Sequence, residues 1–168
     1  MAYDTVAESL RLIEHGLPGR PVTISRRHRF APLAVDVNGH VAATRFLRRG
    51  AGCLWDDIHL LSRPPDGPWR LHGGGGGSSP GPWSAFFQAR AALPPHHVES
   101  EAGAGVQAGV WISSAALLAA PDITTLRVEG RVLPVPAHGR LVVVWSSADP
   151  PTAEACNSSD EKVATVRL

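Results

Sequence analysis

The chain has 168 residues, 43% of them apolar and 18% charged, with a formal net charge of +1; this is the balance of one domain with its own core, and it excludes a disordered chain. So small a net charge gives no general attraction for nucleic acid. The longest apolar runs, Leu141 to Trp145 and Ala115 to Ala120, are too short to cross a bilayer as helices.

Met1-Ala2-Tyr3-Asp4 leads straight into an acidic amphipathic segment, without the basic flank and apolar stretch of a secretion signal, so a cytoplasmic location is expected. Thr5-Val6-Ala7-Glu8 fits a capping box, in which a hydroxyl and a carboxylate satisfy the open amides of a helix start. Val6, Leu10, Ile13 and Leu17 recur at helical spacing, and Gly16 and Pro18 supply the stop. One amphipathic helix is expected within residues 1–17.

After Pro21 the period changes from helical to alternating, and turn residues recur at short intervals, which points to hairpins over residues 21–72. Asn38-Gly39 between Leu33–Val37 and His40–Leu47 predicts a type I′ hairpin turn. A second hairpin joins Asp57–Arg63 to Pro68–His72 through Pro64-Pro65-Asp66-Gly67. Residues 73–109, with five consecutive glycines and several prolines, read as a long excursion; within it Trp83, Phe86, Phe87 and Arg90 suit either a short helix or an aromatic plug.

Residues 110–168 read as a β-meander: Ile123–Val128, Arg131–Val135, Arg140–Ser146, Thr152–Cys156 and Lys162–Leu168, separated by turns at Glu129-Gly130, Ala137-His138-Gly139 and Asn157–Asp160. Leu141 to Trp145 is apolar at every position, which predicts a strand covered on both faces. The fold class expected is therefore mainly β, a single domain of antiparallel hairpins and a meander, sandwich-like or open-barrel-like, behind one N-terminal helix; α+β is the alternative.

Cys53 and Cys156 are too far apart and too few for a disulfide framework or a paired-cysteine zinc site. Every basic residue but Lys162 is arginine, and Ala, Gly and Pro are abundant, a bias that suggests a high-GC bacterial genome. His72-Gly73-Gly74-Gly75 and Gly77-Ser78-Ser79-Pro80-Gly81 match fragments of hydrolase motifs, but a nucleophile elbow needs a strand before its serine and a helix after it. The glycines lack the Gly-Lys-Ser/Thr ending of a phosphate loop.

Two groups of residues carry the functional expectations. Seven arginines against Asp36 alone lie between Arg20 and Arg49; Arg26, Arg27, Arg29, Arg45, Arg48 and Arg49, with Trp55 and Trp83 as partly exposed aromatics, form a contact surface for a protein or a small anionic ligand. Aromatics are too sparse there for base stacking. Trp69 and Trp145 are read as core. In the second hairpin a symmetric register would set His59 opposite His72, with Asp57 two residues away on the same side and Cys53 or Asp56 nearby, a donor set for a divalent transition metal or for acid–base work; a bulge at the turn would separate them.

The reading is a non-catalytic binding or protein-interaction module without a cofactor. A metal-binding protein or enzyme centred on Asp57, His59 and His72 is the alternative, and a homo-oligomer joined through an uncovered strand edge or aromatic patch is the third.

Overall fold

The computed structural model describes residues 3–19 and 21–168, with Trp83 described in its backbone alone. Helix α1 (Thr5–His15) opens at Asp4, whose carboxylate accepts the Val6 and Ala7 amides at 3.0 Å each. The cap thus lies one residue ahead of the expected threonine, and a carboxylate there also suits the positive end of the helix. The helix ends at Gly16, φ 72°, a left-handed conformation that glycine adopts without a Cβ penalty.

The buried face of α1 carries Ser9 and Leu12, whereas Val6 and Leu17 of the expected stripe are exposed. Ser9 Oγ meets Thr44 Oγ at 2.9 Å. Two buried hydroxyls that satisfy each other turn the helix away from its purely apolar stripe.

The first sheet takes its antiparallel strands in chain order: β1 (Phe30–Asn38), β2 (Val41–Arg49), β3 (Cys53–Ser62) and β4 (Arg70–Pro80). The β1–β2 hairpin forms as expected, but Asn38 pairs with Val41, so Gly39 and His40 make the turn. Among these turn residues only Gly39 has positive φ, which is why a histidine is accepted at the second position and type I′ is not adopted.

The glycine tract, expected as part of an excursion, is the body of strand β4. A Cβ on Gly74 would run into the Ile58 carbonyl and one on Gly76 into the Asp56 carbonyl, while one on Gly75 would come within 3.2 Å of Ala104 Cβ. Glycine is needed there because β4 lies close against both β3 and the next sheet. The hydrolase-like fragments consequently sit within one extended strand, not at a strand-to-helix elbow.

Only residues 81–97 form the excursion, with helix α2 (Trp83–Gln88) and the 3-10 turn Ala89–Ala92. Strands β5 (Val98–Ala108) and β6 (Val110–Ala119) follow as a hairpin. The C-terminal strands β7 (Thr125–Val128), β8 (Arg131–Pro134), β9 (Arg140–Trp145), β10 (Thr152–Cys156) and β11 (Lys162–Arg167) lie where the sequence predicts them.

They do not form one meander. β9 pairs with β6 to complete a second sheet ordered β5-β6-β9, and the others form a third, β11-β10-β7-β8. The reason is that β9 has no polar face: Val142 and Val144 pack toward the first sheet, while Leu141, Val143 and Trp145 pack toward the third. Only a strand between two sheets has both faces covered. The architecture is a stack of α1 and three antiparallel sheets, mainly β and sandwich-like, without barrel closure.

A buried clasp joins the three sheets. Asp36 of β1 accepts both Arg131 Nη1 contacts from β8, at 2.8 and 2.7 Å, and the Val144 amide of β9 at 2.8 Å. Burial pushes the Asp36 carboxyl up from its ordinary value, against the stabilising amide and the Arg131 charge.

Candidate binding cavity

The expected basic surface divides in two. Arg26, Arg27 and Arg29 are exposed beside a turn in which Ser25 Oγ accepts the Arg27 and His28 amides at 3.2 and 3.0 Å. Arg29 reaches the Arg49 carbonyl at 3.4 Å, and the Arg49 amide bonds the Arg29 carbonyl at 2.7 Å. Arg48 pairs with Asp57 and lies 5.1 Å from the Tyr3 ring centroid. Arg45 is not on this surface: it is 0% exposed. It alternates with Ala43 and Leu47 on the inward face of β2, and parity overrides charge.

Trp55 is 40% exposed, on the opposite face of β3 from Leu54 and Asp56. The Trp83 side chain lies outside the described residues. Trp145 is buried as expected, but Trp69 precedes β4, is only half-buried and carries the Arg63 guanidinium 4.7 Å from its ring.

The histidine set is not brought together. His59 pairs with Gly74, and the register slips between Leu60 and Leu61, leaving His72 in a bulge with Nε2 2.7 Å from Ser62 Oγ. Asp57 is taken by Arg48. His59 lies against Tyr3 and Phe46, where burial holds its pKa below the ordinary value despite the nearby Asp57 charge. Among the described residues no three His, Cys, Asp or Glu side chains are placed to hold a metal ion.

What the structure does assemble is an ion network between the first and second sheets. Arg45 uses every donor it has: Nε and Nη2 to Asp56 at 2.8 and 2.5 Å, Nη2 to Glu101 at 2.5 Å, and Nη1 to the Leu117 and Leu141 carbonyls at 3.1 and 2.9 Å. Burial works against its charge, but the bonds and charges of Asp56 and Glu101 outweigh that and raise its pKa.

Glu101 also accepts Arg140 Nη2 at 3.2 Å. Arg140, which opens β9, donates to the Phe86 carbonyl at 2.7 Å and lies 3.5 Å from the Phe86 ring centroid, tying α2 to the network. Its Nε is buried without a partner. His138 accepts the Arg140 amide at Nδ1, 3.1 Å; burial, then the charges of Arg140, Arg45 and Arg90, depress its pKa to about 4. It adds no positive charge at neutral pH.

A cavity of about 400 Å³ opens beside this network, lined by Asp56, Glu101 and Arg140, by apolar Leu54 and Ile58, and roofed by Phe86 of α2. The Arg45 side chain is closed off at 1% exposure, whereas Asp56 and Glu101 keep 23% and 22%. Arg140 is likewise closed off at 3%, so the polar surface offered to a guest is carboxylate oxygen. Of these residues Asp56 is expected from sequence as a neighbour of the histidines, Arg45 as an exposed contact and Phe86 as part of a short helix or aromatic plug. Glu101 and Arg140 went unnoticed. The available signal was the period-two parity that turns Arg45 inward, since a buried guanidinium requires partners.

Against known proteins, the chain matches no protein-family model, no curated protein and no solved structure. Among the described residues no helix is long and apolar enough to cross a membrane.

Proposed function

We propose that the protein is a small-molecule-binding module whose site is the cavity between the first two sheets beneath α2. One observation carries the reading: Asp56 and Glu101, held by Arg45 and Arg140 and still 23% and 22% exposed, border the cavity beside apolar Leu54 and Ile58. A cavity of about 400 Å³ is also within the range of small-ligand sites. The Arg45–Asp56–Glu101 network holds the walls in place before a guest arrives, which lowers the ordering cost of binding.

The test is a fragment screen followed by amide NMR. Saturable shifts centred on Gly77, Phe86 and Glu101 are expected; hits that map only elsewhere, or an empty screen, refute the reading. The free thiols of Cys53 and Cys156 support a reducing compartment, the cytoplasm, as its setting.

The exposed Arg26, Arg27 and Arg29 favour a second reading, contact with an acidic protein surface. Under it, replacing all three by serine abolishes a salt-sensitive interaction and leaves cavity binding untouched. If such an interaction survives the triple replacement, this surface is not its seat.

A further inference from the structure

We propose that the cavity takes a primary ammonium carried on a short apolar body; this rests on the small-ligand reading above. The chemistry of the wall selects the head group. Asp56 and Glu101 border the space with carboxylate oxygen, whereas the arginines that hold them, at 1% and 3% exposure, have no donor to offer a guest. Each of the four oxygens already accepts one guanidinium nitrogen: Oδ1 and Oδ2 of Asp56 and Oε2 of Glu101 from Arg45, and Oε1 of Glu101 from Arg140. A carboxylate has about four acceptor sites, so about two on each remain for a guest.

A head that only donates meets such a wall in full. An ammonium brings three N–H donors and no acceptor. A hydroxyl brings one proton, and its lone pairs find no donor among the buried groups of the wall. A carboxylate or phosphate brings acceptors and like charge. The remaining polar side chains of the lining do not alter this: Ser78 and Ser79 are exposed to solvent, and Ser79 Oγ donates to the Pro80 carbonyl at 3.3 Å. Arg45, Arg140, Asp56 and Glu101 sum to zero charge, so the head is selected by direct charge-assisted hydrogen bonds and not by a net field. Leu54, Ile58, Ala102 and Ala116 line the same space, beneath Phe86, and an alkyl or alicyclic body removes their surface from water.

Gly77 supplies an independent argument. Gly74, Gly75 and Gly76 are each held to glycine by a close neighbour, but a Cβ on Gly77 would meet nothing within 4 Å. Gly77 pairs directly with Asp56, so any side chain there would project on the same face as that carboxylate. Packing does not require this glycine. Its missing side chain keeps the space next to Asp56 open, and position 77 thereby sets the size of guest admitted.

The experiment is amide NMR titration of the whole chain at neutral pH with n-butylamine and cyclohexylamine, with n-butanol and cyclohexanol as their neutral counterparts, and with butyrate and cyclohexanecarboxylate as the anions. Each is repeated on Gly77→Phe, and on Gly77→Val should the larger side chain prevent folding, with circular dichroism as the check. Saturable binding of at least one amine is expected, at least about tenfold tighter than its alcohol and weakened at least about tenfold by the Gly77 variant, each about 1.4 kcal/mol. Gly77-sensitive binding in which no amine outbinds its alcohol, or in which the anion binds best, overturns the ligand class while leaving the cavity reading intact. Binding indifferent to the Gly77 variants places the guest elsewhere and overturns the proposal. No binding by any probe overturns the class, and the fragment screen then stands alone as the test of the cavity.

Discussion

Asp56 and Gly77 face each other across β3 and β4, so a carboxylate and an absent side chain share one inward surface. The neighbouring glycines behave differently, and a short scan separates them. Gly76→Ala pushes a methyl into the Asp56 carbonyl and is expected to cost about 2 kcal/mol or more, as overpacking against rigid backbone does. Gly77→Ala meets open space and is expected to be neutral or stabilising by up to about 1 kcal/mol, because alanine restricts the unfolded chain more than glycine does. Urea unfolding of the two variants checks this, and equal destabilisation would contradict the packing described for β4.

Arg45 is the keystone of the ion network. Arg45→Ala leaves Asp56 and Glu101 with one guanidinium between them and strips the acceptors Leu117 and Leu141 of their charged donor. Breaking a buried ion pair from one side costs roughly 3–5 kcal/mol, and a loss of that order in chemical denaturation is the expectation. A loss below about 1 kcal/mol would mean that the carboxylates are solvated well enough to do without the arginine.

Much of this fold was legible from the chain because alternation and turn chemistry are local. The all-apolar segment from Leu141 to Trp145 announced a strand covered on both faces, and the C-terminal strands fell between turns readable from Gly130, Gly139 and the Asn157–Asp160 segment. What local pattern could not convey was which sheet each strand joins, since β9 reaches β6 across the intervening β7 and β8. The glycine tract misled because its extended conformation is imposed by close neighbours, Ile58 and Ala104, that are distant in sequence.

The site was less legible for the same reason. Glu101 and Arg140 stand 39 residues apart and meet only because β5 and β9 flank β6. The histidine pairing expected from a symmetric turn is displaced by two residues: Ser62 already pairs with Arg70, one step off, and the slip between Leu60 and Leu61 adds the second, which sets His59 opposite Gly74.

Arg90 anchors the segment that roofs the cavity. Nη1 donates to the Pro136 and Ala137 carbonyls at 3.0 and 2.7 Å, and Nη2 to those of Ala120 and Ile123 at 3.2 and 3.0 Å. Burial lowers its pKa, with the Asp122 charge opposing. Hydrogen bonds to charged groups are worth about 1.5–3 kcal/mol, and several are lost together in Arg90→Ala. Amide exchange is expected to rise across 83–97, 120–123 and 136–139 with β1 to β4 unchanged. Arg90→Lys should not restore protection, because a compact ammonium lacks the planar fork that spans two loops. Unaltered exchange in 83–97 would show that the apolar contacts of Phe86 and Phe87 suffice.

His138 ties stability to pH. The unfolded chain takes up a proton at this residue near pH 6.5, while the folded protein, with its imidazole buried beside Arg140, Arg45 and Arg90, resists until about pH 4. Above pH 6.5 both states are neutral there and nothing is lost. Between these values the unfolded state binds more protons, so stability falls as pH falls, by at most roughly 3 kcal/mol at the lower end and less with solvent screening. His59, also depressed, adds a contribution of the same sign. His138→Asn retains an oxygen able to accept the Arg140 amide but cannot titrate. Urea midpoints measured from pH 5 to pH 7 should therefore rise more steeply with pH in the wild type than in the variant, and parallel slopes would show that His138 titrates normally in the folded protein.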